Sequence, residues 1–195
     1  MTSDADIIER SRVTPEAFAE LFDRHARVVS AFVVRRVGRV EAEDIVSDTF
    51  LTAFRRRHDY DVSAASAKPW LFGIAVRLIR HHRAAEAAHW RSIVSAARDV
   101  SAHGEGGIDD ADARADAEAA VKAITPALRR LSAADRETLQ LYAWADLTYE
   151  EVAAALGIPV GTVRSRLNRV RRRIGAAVQE LELREEGRHG TATHA

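Results

Sequence analysis

The sequence predicts an all-α protein: two small helical domains joined by a flexible acidic linker, the second carrying a helix-turn-helix. Three observations lead there. Alanine-rich runs dominate a chain with ten glycines, four prolines and 6% aromatic residues, a composition that favours helices. Apolar residues recur at helical spacing in successive stretches. Between them, around His103-Gly104-Glu105-Gly106-Gly107, the pattern fades and acidic residues accumulate, as in a linker. A chain of 195 residues suffices for one large or two small domains.

The elements follow in order. Thr14-Pro15-Glu16 is a helix-start signal, with Thr14 as N-cap and Pro15 in the first turn. Phe18, Leu21, Phe22, Val29, Phe32 and Val33 then recur at helical spacing, and this helix should end near Gly38. A second helix is expected from Val40 to Arg57, with Ala42, Ile45, Thr49 and Ala53 facing a core and Glu41, Asp44 and Asp48 lining another side. Its acidic start and basic end suit the helix dipole. Asp59 to Lys68, stopped by Pro69, reads as a loop. A third helix starts near Trp70. At roughly 100° per residue, Leu71, Ile74, Ala75 and Leu78 form its buried stripe, while Trp70, Gly73, Arg77, Arg80 and His81 fall on a different side. The first domain is thus placed at 14–90, the linker at 91–120, the second domain at 121–184 and a disordered tail at 185–195.

In the second domain, Ser132-Ala133-Ala134-Asp135 and Thr148-Tyr149-Glu150-Glu151 are capping-box patterns that place helix starts at Ser132 and Thr148. Residues 147–167 read as helix, tight turn and helix, with Gly157 supplying the sharp turn because it tolerates positive φ. Along the last helix Val163, Leu167, Val170 and Ile174 make a narrow apolar seam that fixes which way it faces. Thr162, Arg164, Ser165, Asn168 and Arg169 are then placed to meet bases or the nearest phosphates, as in a recognition helix entering the major groove N-terminus first. Arg171, Arg172 and Arg173 suit the DNA backbone, which positions a protein without reading sequence.

Composition narrows the function. The 29 basic and 29 acidic residues cancel, which argues against a wholly basic nucleic-acid coat; instead, arginine-rich segments flank an acidic one. Without cysteine, disulfides and thiolate zinc sites are excluded. The adjacent His81 and His82 point about 100° apart on a helix and have no further ligand spaced to help them. No nucleophile–base–orienter arrangement or Gly-rich phosphate loop is present, so neither an enzyme, a cofactor nor a metal site is expected. No stretch approaches the roughly 20 apolar residues that span a bilayer, and Asp4, Asp6 and Glu9 come before any apolar run, so a soluble cytoplasmic protein without membrane insertion is expected.

Two motif sets carry a family resemblance. Gly157-Ile158-Pro159-Val160-Gly161-Thr162-Val163-Arg164-Ser165-Arg166-Leu167-Asn168-Arg169-Val170-Arg171 resembles the fourth conserved region of bacterial sigma factors of the extracytoplasmic-function group. Glu41-Ala42-Glu43-Asp44-Ile45-Val46-Ser47-Asp48-Thr49-Phe50-Leu51, followed by Lys68-Pro69-Trp70-Leu71-Phe72-Gly73-Ile74-Ala75, resembles the second. The resemblance implies a dissociable subunit that binds core RNA polymerase and directs it to specific promoters, with no catalytic centre of its own. It implies that Asp44, Asp48, Phe50 and Leu51 meet the polymerase clamp, and that the third helix and its preceding loop capture and melt the minus-ten element. There Lys68, Trp70, Arg77, Arg80 and His81 offer the stacking surface and cations that single strands need. It implies that the last helix reads duplex DNA at the minus-thirty-five element, and that an anti-sigma factor is a further partner. Ser47-Asp48 and Arg77 depart from residues common in the group, which bears on promoter detail. The competing reading is a conventional helix-turn-helix repressor or activator that dimerises on an operator without binding polymerase.

Overall fold

The computed structural model describes residues 2–96 and 125–190, with side-chain surroundings for 2–88 and 125–179. Every regular element among them is helical. The expected linker lies outside the described residues between 97 and 124, and within 91–96 the chain is still helix. Seven α-helices are numbered here: α1 Asp4–Ser11, α2 Ala19–Val37, α3 Arg39–Arg55, α4 Lys68–Ala96, α5 Ala133–Trp144, α6 Tyr149–Leu156 and α7 Val160–Gly190. Two 3-10 turns, Pro15–Phe18 and Arg57–Asp59, and a helical turn over 125–129 complete them.

Two compact units emerge, one from 1–100 with 141–160 and the other from 101–140 with 161–195. In the first, α2, α3 and α4 pack on one another. Phe32 and Phe72 meet edge-on at 5.0 Å at its centre, among the fully buried Leu21, Val29, Val33, Leu71 and Ile79. Ala42, Ile45, Thr49 and Ala53 of α3 are all buried, as their spacing predicts. Such an edge-to-face aromatic pair adds about 0.5–1.5 kcal/mol beyond the area it buries.

Sequence reasoning missed α1. Its start is a capping box in which Ser3 Oγ accepts from the Asp6 N–H and the Asp6 carboxylate accepts from the Ser3 N–H. Its Ile7 and Ile8 are wholly buried. The Thr14-Pro15 start signal opens a 3-10 turn before α2, not α2 itself, and Thr14 makes no side-chain cap. Gly38 ends α2 as expected.

The stripe predicted for α4 is too narrow. Leu71 to Val76 are buried without interruption, because α6 covers a side of α4 that α2 and α3 leave open. The contact is backbone on backbone: a Cβ built on Gly73 would lie 2.6 Å from the Ala155 carbonyl oxygen. Gly73, expected on the exposed side, is therefore the seat of α6. The last helix also runs further than expected, so residues 185–190, assigned to the tail, are helical. Glu180 to Glu186 are mostly strong helix formers, and Gly187 alone costs only about 1 kcal/mol, too little to stop them. Residues 191–195 lie outside the described residues.

Candidate nucleic-acid and polymerase interfaces

The helix-turn-helix segment is built by its caps. Thr148 Oγ1 accepts from the Glu151 N–H at 3.2 Å, and the Glu151 carboxylate accepts from the Thr148 N–H at 2.8 Å, fixing the start of α6. Gly157 closes it in the left-handed region, φ 65° and ψ 40°, letting the Ile158 N–H reach the Ala153 carbonyl at 3.0 Å. Pro159 then precedes the first turn of α7. At Ser132 the hydroxyl accepts from the Asp135 N–H at 3.1 Å, but the Asp135 carboxylate turns towards α7.

That turn sorts the arginines of α7 into two sets. Val163, Leu167 and Val170 are buried, as the seam requires, whereas Ile174 at its far end is half-buried. Beside them, Arg169 Nη1 donates to both oxygens of Asp135 at 2.7 and 3.0 Å. Arg166 donates to Thr138 Oγ1 at 3.3 Å, and Arg173 to the Arg130 carbonyl at 2.8 Å. These three brace α7 against its own unit. Arg164, Ser165, Asn168, Arg171 and Arg172 are exposed, and Thr162 is half-buried. Ser165, Asn168, Arg171 and Arg172 share with Arg169 a shallow open depression of about 510 Å³. Arg169 and Arg173, expected among the DNA contacts, thus carry a structural tie as well.

The minus-ten candidates gather at the head of α4. Trp70 is half-buried, with its ring 5.0 Å from that of Tyr60 and tilted against it. Burial, with the charges of Asp4 and Asp61, pushes the Tyr60 phenol up to about 12, so this backing stays neutral. Lys68 is half-buried, whereas Arg77, Arg80 and His81 are exposed.

On α3, Asp44 and Asp48 are exposed and Leu51 is 42% exposed. Phe50, grouped with them, is buried at 6%. The aromatic at that surface is its edge-on neighbour at 4.8 Å, Phe22, which is 45% exposed. Helical spacing groups Phe22 with Leu21, Val29 and Phe32 without saying which of them reaches water; the packing of α2 against α3 decides it. Among the described residues no group of three or more His, Cys, Asp or Glu side chains could hold a metal ion. No helix among them is long and apolar enough to cross a membrane.

Comparison with known proteins converges on the same elements. The Sigma-70 region 2 family matches residues 21–89, and Sigma-70, region 4 matches residues 122–174. The ECF RNA polymerase sigma factor SigL of Mycobacterium tuberculosis is 31% identical over 178 residues, 88% of this chain and 97% of SigL. The ECF RNA polymerase sigma factor RpoE of Cereibacter sphaeroides is 31% identical over 157 residues, 77% of this chain and 80% of that protein. Two solved structures share the fold. CnrH, in complex with the cytosolic domain of CnrY, aligns with a TM-score of 0.61 at 22% identity, covering 91% of this chain and 97% of CnrH. RpoE of Bartonella quintana, in complex with the anti-sigma factor NepR, aligns at 0.57 and 24%, covering 83% and 96%. The chain belongs to the sigma-70 family, among its ECF RNA polymerase sigma factors.

Proposed function

We propose that this sigma factor divides promoter recognition between two surfaces. The exposed side of α7, with Thr162, Arg164, Ser165, Asn168, Arg171 and Arg172, reads the minus-thirty-five duplex. The head of α4 and the loop before it hold the melted minus-ten strand through Lys68, Trp70, Arg77, Arg80 and His81. Core polymerase docks on the acidic side of α3, at Asp44, Asp48 and Leu51, with Phe22 taking the place first given to Phe50. The observation that carries this reading is the tying of Arg166, Arg169 and Arg173 to Thr138, Asp135 and a backbone carbonyl. These ties fix the rotation of the helix so that Arg164, Asn168 and Arg172 face outward, with side chains of the types that pair with base edges and phosphates.

In this reading the protein acts in the cytoplasm, performs no chemistry and takes its catalysis from the polymerase. An anti-sigma factor is its third partner, as NepR is for the RpoE of Bartonella quintana. The limits 14–90 and 121–184 are proposed as functional segments around the two family matches, while α6 packs on α4 within one compact unit. In-vitro transcription with purified core polymerase and a promoter library tests the whole reading. New start sites that depend on both elements are expected; a chain that neither joins the core enzyme nor redirects it refutes the proposal.

A further inference from the structure

The loop joining α3 to α4 is fastened at both ends by α1. At the helix's N-terminal end, the Asp4 carboxylate accepts from the Ala67 N–H at 2.8 Å and from Ser66 Oγ at 3.4 Å, just before α4 begins. The same carboxylate is held by Arg24 at 2.6 Å and His25 at 2.9 Å, and it is only 6% exposed. At the other end, the Arg12 guanidinium donates to the carbonyls of Arg57 at 3.3 Å and Tyr60 at 3.2 Å, where the loop leaves α3. Arg57 answers by donating to the Ser11 carbonyl at 3.0 Å. Between these ties the loop supports itself: Asp61 Oδ1 accepts from the Ser63 N–H at 2.9 Å and from Ser63 Oγ at 2.7 Å, leaving Val62, Ser63 and Ala65 exposed.

We infer that α1 is a splint that sets the base preference of the minus-ten loop, with Asp4 and Arg12 as positioning residues. The inference rests on the reading that this loop and the head of α4 hold the melted strand. The helix precedes the matched region 21–89, and its Ile7, Ile8 and Ser11 are buried inward, so it works through what it holds. A loop free at its ends could wrap different bases at similar cost. One fixed at both ends, with its tip folded in advance, accepts a matching base without reordering and rejects others, which is how preorganisation becomes selectivity. Asp4 suits the task because a buried carboxylate that has lost water depends on its donors, and here they include the loop's own backbone.

The test uses holoenzyme reconstituted from the full chain and core polymerase, transcribing promoters changed at single minus-ten or minus-thirty-five positions. In Arg12→Ala and Asp4→Asn, the preference for the best minus-ten base over a mismatch should fall about tenfold, the equivalent of one charge-assisted hydrogen bond. Arg12→Lys should restore part of it, while core association and minus-thirty-five discrimination stay at wild-type levels. An unchanged minus-ten preference in both variants overturns the inference, as does an equal loss at both elements, the mark of general loosening. If the variants do not fold, amide exchange in the wild-type chain decides: the Ala67 N–H should be protected together with the α1 amides, and exchange at the rate of an unstructured peptide overturns the splint. A wild-type holoenzyme indifferent to minus-ten bases would defeat the loop reading itself, an outcome separate from wild-type selectivity that survives the substitutions.

Discussion

The two surfaces proposed for nucleic acid are built on opposite plans. On α7 the proposed readers and the braces alternate along one rod: Arg164, Asn168 and Arg172 are exposed, while Arg166, Arg169 and Arg173 tie the rod down. At the head of α4 the proposed readers sit at a loop–helix junction held from outside by α1, and Trp70 leans on Tyr60. A helical surface can thus carry its own support within its period, whereas a loop surface borrows support from another element. Arginine serves both plans, and whether an acceptor of its own unit lies within reach, a carboxylate, a carbonyl or a hydroxyl, decides which role it takes.

Six substitutions would break or sharpen this contrast. The largest effect is expected from Gly73→Val, whose side chain meets the Ala155 backbone; chemical denaturation should show a loss of about 3 kcal/mol, the upper range for overpacking. Trp70→Ala and Asn168→Ala should each cost about 1–3 kcal/mol, but in different assays. The first should weaken holoenzyme binding to fork DNA with an exposed minus-ten strand. The second should relax discrimination at one minus-thirty-five base pair, where Arg172→Ala should weaken every site alike and flatten the salt dependence. A uniform loss for Asn168→Ala would mean that the reading side of α7 has been misassigned.

Asp135→Ala should cost about 1 kcal/mol, because Arg169 remains half in water and its pair is discounted accordingly. Calorimetry reads that loss, and minus-thirty-five specificity should blur because the brace is gone. The smallest effect is a pH slope. Burial raises the Asp4 carboxyl, but the Ala67 N–H, the charge of His25 and hydrogen bonds from Arg24 and His25 outweigh it and hold the group below its ordinary 3.8. A depressed folded-state value means that the stabilisation is present above the unfolded value and fades as pH falls through the folded one. Stability of Asp4→Asn should therefore fall less steeply than wild type below about pH 4, as followed by circular dichroism during acid titration.

What was legible in the sequence was what repeats. The seam of α7 from Val163 to Val170, the inward positions of α3, the Gly157 turn and the Thr148 cap are all local patterns, and each appears where its spacing predicts. What stayed hidden depends on partners distant in the chain. Nothing local distinguishes Arg169 from Arg164; the buried Asp135 does. Phe22 and Phe50 are chemically identical side chains, and only the packing of α2 on α3 decides which ring reaches water. Leu71 to Val76 are buried on every side because α6 arrives from the later part of the chain. The α1 helix had a readable signal in Ser3 and Asp6 ahead of Ile7 and Ile8, but it is short and mostly polar, and the Thr14-Pro15 start signal overshadowed it.

The seating of α6 on Gly73 has a practical consequence. Scanning mutagenesis works by taking atoms away, and at this joint there is almost nothing to take: one partner is glycine and the other already alanine. A conventional alanine scan would therefore pass over this close meeting of two helices and score it as silent. Only a scan that adds bulk, residue by residue along both backbones, would reveal how much of the molecule's behaviour turns on that bare spot.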